Sequence, residues 1–153
     1  MLEAEFPSFV TCCKYSSNSP EETAAIANEL AKQLKHGDIV TLHGPLGAGK
    51  TTFVKGLIAA LCDISPHEIS SPTFTYMNIY QGKNEVHHFD LYRISQEEHF
   101  LQMGLSEYLF SDAISIVEWP EKIPSMLKKP TIRVNLSYTS ADQRLIEIGR
   151  EKQ

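Results

Sequence analysis

"DIVTLHGPLGAGKTTFVKGL", from Asp38 to Leu57, places a glycine-rich loop between two apolar runs. The run before the loop is short and rich in β-branched residues, which predicts a strand. After the loop, apolar residues from Phe53 to Leu61 recur with the spacing of a helix face. A strand, a glycine loop and a helix in this order predict an α/β fold built around the unit.

The loop from Gly44 to Thr51 matches the pattern G-x-x-x-x-G-K-[ST]. Its glycines adopt backbone angles closed to other residues, and the following helix points its positive end at the loop, so main-chain N–H groups can hold an anion. Lys50 can reach the β- and γ-phosphates, and the Thr51 hydroxyl can ligate Mg²⁺. A chance glycine turn before a lysine is the alternative, but it leaves the flanking strand and helix unexplained. We therefore predict a nucleotide-binding P-loop with these contacts: Gly47, Ala48, Gly49, Lys50, Thr51 and Thr52.

A second chemical motif is the acid that ends "AISIVEWP", residues 113–120. The nearly continuous apolar run predicts a strand covered on both faces. P-loop enzymes hold magnesium with a carboxylate at the end of such a strand. Glu118 fits that role, with glutamate where aspartate is usual; the alternative is a solvent-facing strand end. Trp119 is either a core or rim residue or a contact of the nucleotide site.

Two polar segments follow the P-loop helix. In "ISSPTFTY", residues 69–76, the hydroxyls of Ser71 and Thr73 are placed to sense a γ-phosphate, although an ordinary strand entry explains the segment equally well. In "HFDLYR", residues 88–93, an extended chain puts His88 and Asp90 on one face. Asp90 could position an attacking water or join the metal's shell; the alternative is a His88–Asp90 hydrogen bond at a sheet edge.

The remaining patterns alternate between helix and strand and complete one domain over residues 1–153. They predict the following elements: a strand over 9–15, a helix opened by a capping box of Ser19 and Glu22 and ending near His36, a hairpin of 71–80 and 85–93 around its turn, a helix opened by a second box of Ser95 and Glu98, and two strands over 131–138 and 144–150. We expect an α/β sandwich with a partly parallel central sheet, an added antiparallel β-hairpin and helices on both faces.

Composition limits the classes of partner. The net charge of −5 provides no global attraction for nucleic acid. No apolar run approaches the roughly 20 residues that cross a bilayer, and the first residues lack the pattern of a signal peptide. Cys12, Cys13 and Cys62 suggest neither a disulfide framework nor a zinc site. We expect a cytoplasmic protein without membrane contact, with its cysteines buried as small apolar residues.

Taken together and in order, "GPLGAGKTT", "SSPTFTY", "HHFDLYR" and "MGLSEYLFSDAISIVEWPEKI" closely resemble the TsaE family, also called YjeE. The resemblance runs from Ser19 to about Pro124 and implies a P-loop ATPase that binds ATP and Mg²⁺ and hydrolyses ATP slowly. It implies a role in synthesis of threonylcarbamoyladenosine (t6A) at adenosine 37 of tRNAs that read codons beginning with A. The expected partner is the TsaB–TsaD heterodimer, whose transferase cycle the ATPase resets. Contact with tRNA is expected only through that complex, and the free protein is expected to be a monomer.

The resemblance also implies roles at individual positions. These are the nucleotide loop at 47–52, magnesium at Thr51 and Glu118, a switch loop at 71–74, hydrolysis at Asp90, a tryptophan beside the acid at Trp119, and an approach to adenine near Thr23. Lys50, Asp90 and Glu118 are the expected catalytic residues. The chain after Pro124 is expected to contribute only strands.

Two other classes share the glycine loop. A small-molecule kinase, the runner-up, usually carries arginines on a lid over the phosphates. The four arginines here are Arg93, Arg133, Arg144 and Arg150, and none lies in a Gly-flanked insertion that resembles a lid. A GTPase would need an N-K-x-D segment to recognise guanine, which this sequence lacks. The favoured prediction is therefore an ATPase whose nucleotide state controls a partner.

Overall fold

One seven-stranded sheet forms the centre of the protein, for which a computed structural model describes residues 9–128 and 130–151. Within those residues the chain forms strands and α-helices in this order: β1 Phe9–Ser17, α1 Pro20–Ala31, β2 Ile39–His43, α2 Lys50–Cys62, β3 Met77–Gln81, β4 Glu85–Asp90, α3 Glu97–Gln102, α4 Leu105–Leu109, β5 Ile114–Glu118, β6 Thr131–Tyr138 and β7 Arg144–Glu151. Short 3₁₀ turns occupy Pro66–Glu68, Pro120–Lys122 and Pro124–Met126.

The strands lie in the order β1-β7-β6-β2-β5-β4-β3. The four central strands β6, β2, β5 and β4 are parallel. The pairs β1/β7, β6/β7 and β3/β4 are antiparallel. This confirms the predicted sheet, including the hairpin of β3 and β4. Because parallel strands point the same way, β2, β4, β5 and β6 all end at one edge.

Helices cover both faces of the sheet, as predicted. Ala27 of α1 and Phe53 of α2 belong to the apolar cluster on one face, and Phe100 of α3 belongs to the cluster on the other. The two helices of the first face pack closely at Gly56. A Cβ added to Gly56 would lie 3.0 Å from the Cα of Ala24, which explains a glycine inside a helix.

The start of α1 follows its sequence signal with one difference. Glu22 N donates to Ser19 Oγ at 3.1 Å, while the Glu22 carboxylate accepts from Asn18 N at 2.8 Å, one residue earlier than in the usual box. The helix ends at Ala31, before the expected end near His36. No helix among the described residues has both the length and the apolar content that crossing a bilayer demands.

Two further local predictions are wrong. Helix α3 begins at Glu97 with Gln96 as its N-cap, and no described side chain caps it, so the Ser95 box does not form. The first hairpin strand begins at Met77 rather than at residue 71, because Tyr76 N bonds Pro72 O at 2.9 Å and Tyr76 has a φ of 65°. This turn and left-handed residue interrupt an extended path.

The cysteine prediction holds for one of the two thiols that the structure describes. Cys62 is buried, but Cys13 is exposed. Cys13 lies on the edge strand β1, where the register against β7 shifts between Thr11 and Cys13. An edge strand leaves side chains open to solvent that a central strand would cover. The side chain of Cys12 lies outside the described part.

Candidate functional site

A cavity opens at the edge of the sheet where the parallel strands end. β2 ends at His43, β4 at Asp90 and β5 at Glu118, and the last two are paired across their strands. The cavity has a volume of about 620 Å³. That size is typical of small-molecule sites, which in open α/β sheets lie at this edge.

The glycine loop forms one wall of the cavity. Gly49, with a φ of 101°, precedes the helix, and the first intrahelical bond runs from Phe53 N to Gly49 O at 2.9 Å. The N–H groups of the first helical turn therefore have no helix carbonyl to bond. No described side chain caps them either. Together with the helix dipole, these free donors make a suitable anion site.

All but one of the predicted site residues line this cavity. Those that do are Gly47, Gly49, Lys50, Thr51, Thr52, Thr73, Asp90, Glu118 and Trp119. Ala48 does not: its side chain is fully buried in the core, and its N–H donates to Pro45 O at 3.2 Å. Ser71 and Thr23 lie at the cavity as well.

Lys50 and Trp119 are in direct contact. The Lys50 ammonium lies 4.1 Å from the centroid of the indole, an attractive cation–π arrangement. Burial lowers the pKa of Lys50, and the nearby carboxylates of Glu118, Glu121 and Asp90 act in the opposite direction. Trp119 has a φ of 60°, a left-handed conformation that costs an L-residue about 1–2 kcal/mol.

The two acids have different partners. Glu118 is buried, and its Oε2 accepts a hydrogen bond from His88 Nε2 at 2.7 Å, so it is not a solvent-facing strand end. The alternative bond between His88 and Asp90 does not form. Instead, Asp90 Oδ1 accepts from Tyr92 N at 3.1 Å. Burial raises the pKa of Asp90, and the charge of Glu118 adds to this, against the opposing effects of the Tyr92 N–H, His88 and Lys50.

The segment between α2 and β3 closes another side of the cavity. Ser71 and Thr73 line it, while Pro72 between them is buried. Phe74 is 77% exposed, with the Arg93 guanidinium 4.7 Å from its ring centroid. Two residues that carry hydroxyls therefore line the cavity, in a segment whose next residue, Phe74, is exposed to solvent.

Sequence reasoning missed the contribution of β6 and β7. The Tyr138 hydroxyl donates to Leu46 O, and Arg144 Nη2 donates to Gly47 O at 3.3 Å. The Arg144 guanidinium also lies 4.9 Å from the Tyr138 ring centroid, and Arg144 lines the cavity. These residues reach the loop because β6 is parallel to β2 and ends beside it. The motif spacing contained no signal for this neighbour.

The donor set fits a nucleotide with Mg²⁺. Mg²⁺ usually takes one or two carboxylates and completes its octahedron with water and substrate phosphates. Thr51 provides a hydroxyl, and Glu118 and Asp90 provide carboxylates at the same cavity. In the described part of the chain, no three or more His, Cys, Asp and Glu residues group as a metal cage. Water and phosphate oxygens would therefore have to complete the coordination, next to the free N–H groups of α2.

A strand, a glycine loop and a helix at the carboxyl edge of a parallel sheet define the P-loop fold. The crystal structure of Bacillus subtilis YdiB is similar, with a TM-score of 0.74 and 32% identity over 95% of this chain and 88% of that one. The model of the family "Threonylcarbamoyl adenosine biosynthesis protein TsaE" matches residues 17–146. The chain belongs to the TsaE family, which takes part in tRNA t6A biosynthesis.

Individual relatives agree over most of their length. The Rickettsia typhi tRNA threonylcarbamoyladenosine biosynthesis protein TsaE is 39% identical over 90% of this chain and 94% of its own. The proteins of the same name from Treponema pallidum and Bacillus subtilis are 35% and 37% identical. Both matches cover 87% of this chain. They extend over 97% of the Treponema pallidum protein and 82% of the Bacillus subtilis protein.

Proposed function

We propose that this protein is an ATPase of t6A biosynthesis whose nucleotide state controls a partner complex. One observation carries the proposal: a single cavity brings the Lys50 ammonium, the Thr51 hydroxyl and the carboxylates of Asp90 and Glu118 to the free N–H groups of α2. These groups come from two neighbouring strands and one helix, and together they complement a triphosphate and a divalent cation.

Each residue has a separate task in this proposal. Lys50 and the first-turn N–H groups of α2 bind the phosphates, and Thr51 and Glu118 hold Mg²⁺. Bound ATP–Mg²⁺ supplies the phosphoryl group and the charge neutralisation for hydrolysis. Asp90 orients the attacking water by accepting its hydrogen bond. Burial raises the pKa of Asp90, which increases its proton affinity toward that of a useful base.

The segment at 71–75 would couple nucleotide state to a partner. Ser71 and Thr73 face the cavity, and Phe74 beside them is exposed. A γ-phosphate bonded by these hydroxyls would order the segment, and its loss would release it. The partner we propose is the TsaB–TsaD heterodimer, whose transferase this ATPase would reset. The net charge of −5 agrees with contact to tRNA only through that complex, and we propose a cytoplasmic protein that is a monomer when free.

Nucleotide binding is tested first, by calorimetry with a non-hydrolysable ATP analogue. Lys50→Ala should abolish binding, because the buried ammonium is the cation the phosphates would meet. Lys83→Ala is the matched control, since Lys83 is exposed in the β3–β4 turn. Retained affinity in Lys50→Ala would refute the P-loop assignment.

Hydrolysis and partner control are tested next. Glu118→Ala should largely keep nucleotide affinity while stopping hydrolysis; unchanged turnover would remove Glu118 from the metal site. Adding TsaB–TsaD should increase ATP turnover, whereas neither binding nor stimulation would contradict the switch. Phosphoryl transfer to a small acceptor in place of water would instead favour the kinase. Arg144, the arginine lining the cavity, reaches it from β7 and not from a lid.

A further inference from the structure

His88 and Glu118 form a buried pair on neighbouring strands. Their side chains are 2% and 8% exposed, and His88 Nε2 lies 2.7 Å from Glu118 Oε2. β4 and β5 are parallel, with His88 opposite Ile116 and Asp90 opposite Glu118. His88 therefore bonds one acid of the candidate site, Glu118, and lies two residues from the other, Asp90, although the sequence patterns predicted no role for His88 at Glu118.

The bond restricts one oxygen of the carboxylate. Carboxylate oxygens accept hydrogen bonds, so we assign His88 Nε2 as the donor and Glu118 Oε2 as the acceptor. Glutamate has one more side-chain torsion than the aspartate usual at this position in P-loop enzymes. A buried ring that bonds Oε2 removes much of that freedom and leaves Oε1 for another ligand.

A purely structural explanation of His88 is weak. Its Nδ1 is buried and has no hydrogen-bond partner among the described residues. An unsatisfied buried polar atom costs about 1–3 kcal/mol, which an apolar side chain such as that of Val86 on the same strand avoids. His88 also lines a narrow crevice together with Thr51, Ser71 and Glu118. His88 therefore lies next to both residues of the proposed metal site, Thr51 and Glu118.

We propose that His88 is a positioning residue that holds Glu118 with one oxygen directed to the Mg²⁺ bound with the nucleotide at Thr51. This inference rests on the proposed function. Partners of metal ligands orient them, and their loss typically costs 10–100-fold in metal affinity or activity. His88 acts through Glu118 and needs no contact with substrate.

Two substitutions separate positioning from packing. In His88→Gln the amide nitrogen reaches almost as far as Nε2, whereas in His88→Asn it falls short. Mn²⁺, which also prefers oxygen ligands, replaces Mg²⁺ so that its binding with a non-hydrolysable ATP analogue can be measured by electron paramagnetic resonance. We expect Mn²⁺ affinity within about threefold of wild type in His88→Gln and a loss of roughly 10–100-fold in His88→Asn. Affinity for the analogue without metal should not change in either variant.

His87→Asn is the matched control. His87 is also 2% exposed on β4, but it bonds Glu85 Oε2 at 2.7 Å and Tyr108 O at 3.1 Å, away from the cavity. Its Mn²⁺ affinity should equal that of wild type. In a Glu118→Ala background, His88→Asn should cause no further loss.

The outcomes distinguish the two levels of proposal. A wild-type protein that binds no Mn²⁺ with the analogue would overturn the proposed function. Wild-type binding together with equal affinities in His88→Gln and His88→Asn would overturn only the positioning role. Urea unfolding checks that the variants are folded, and His88→Leu replaces His88→Asn should the latter fail to fold.

Discussion

The contact between Tyr138 and the glycine loop gives a prediction with a calculable size. Gly47 has a φ of 78°, and a Cβ added there would lie 2.7 Å from the Tyr138 hydroxyl. Gly47→Ala therefore adds a left-handed alanine, at about 1 kcal/mol, and displaces the hydroxyl from Leu46 O, at about 0.5–1 kcal/mol for a partly exposed hydrogen bond. We expect the free energy of unfolding to fall by about 2 kcal/mol.

Tyr138→Phe should relieve part of that cost. Without the hydroxyl, the nearest atom of the ring is the carbon that carried it, which lies at an ordinary 3.8 Å from the added Cβ. Only the backbone cost of Gly47→Ala then remains. In the Tyr138→Phe background, Gly47→Ala should therefore destabilise by about 0.5–1 kcal/mol less than in the wild type.

The assay is urea unfolding of all four proteins without nucleotide, with binding of an ATP analogue measured by calorimetry. Gly37→Ala is the control, because Gly37 has a φ of 88° and no atom of the described residues lies within 4 Å of an added Cβ. Gly37→Ala should lower the free energy of unfolding by the same amount with or without the Tyr138 hydroxyl, and it should leave nucleotide affinity unchanged. Gly47→Ala, in contrast, should weaken nucleotide affinity at least tenfold. Additive costs for Gly47→Ala and Tyr138→Phe would refute the idea that Tyr138 holds the loop.

Burial lowers the pKa of His43 to about 3, so the folded protein keeps the ring neutral while the unfolded chain takes up a proton. The free energy of unfolding should fall as the pH drops below about 6.5, by at most about 1.4 kcal/mol per pH unit, and His43→Gln should flatten that slope in urea titrations. Burial also raises the pKa of Cys62 to about 11, so Cys13→Ser should remove one fast-reacting thiol at neutral pH and Cys62→Ser none. Asp90→Asn keeps an acceptor for Tyr92 N and removes a carboxylate whose pKa burial raises. It should stabilise the nucleotide-free protein at neutral pH, lose that gain as the pH falls through the raised pKa toward 3.8, and abolish ATP turnover.

The sequence was sufficient where the signal is local. The glycine loop and the helix from Lys50 follow from neighbouring residues, and Glu118 was found because an acid directly ends an apolar run. The box at Ser95 failed although it looked like the one at Ser19, where the serine does cap the helix. Helix α3 begins two residues after Ser95, so that serine cannot serve as the cap of the helix.

What the sequence left open depends on strand order. Alternation along β4 places His88 and Asp90 on one face, but the partner of His88 comes from β5, the neighbouring strand. Likewise, Tyr138 meets the glycine loop because β6 lies beside β2, although more than ninety residues separate it from Leu46. Neither neighbour can be deduced from spacing within one segment. Long-range pairing of that kind requires the fold.

Unfavourable features lie at the carboxyl end of β5, and the core of that strand holds another, the buried Ser115 Oγ, which has no hydrogen-bond partner among the described residues. β5 is buried along its whole length, and apolar clusters on both faces hold it in place. At its carboxyl end, Trp119 adopts a left-handed conformation, and His88 Nδ1 has no hydrogen-bond partner in the part of the chain that the structure describes. A rigid frame can hold such unfavourable features where a flexible one would relax.

Those costs bear on which ligand suits the cavity. Burial works against the charged form of both Lys50 and Asp90, and in each case nearby opposite charges compensate in part. A ligand that carried only negative charge would stabilise the charged form of Lys50 but destabilise the charged forms of the acids. A lone cation would have the opposite effects. A phosphate chain with a bound divalent cation matches both sets of charges at once. Because a ligand that binds the folded state stabilises it, ATP with Mg²⁺ should raise the unfolding midpoint more than either does alone.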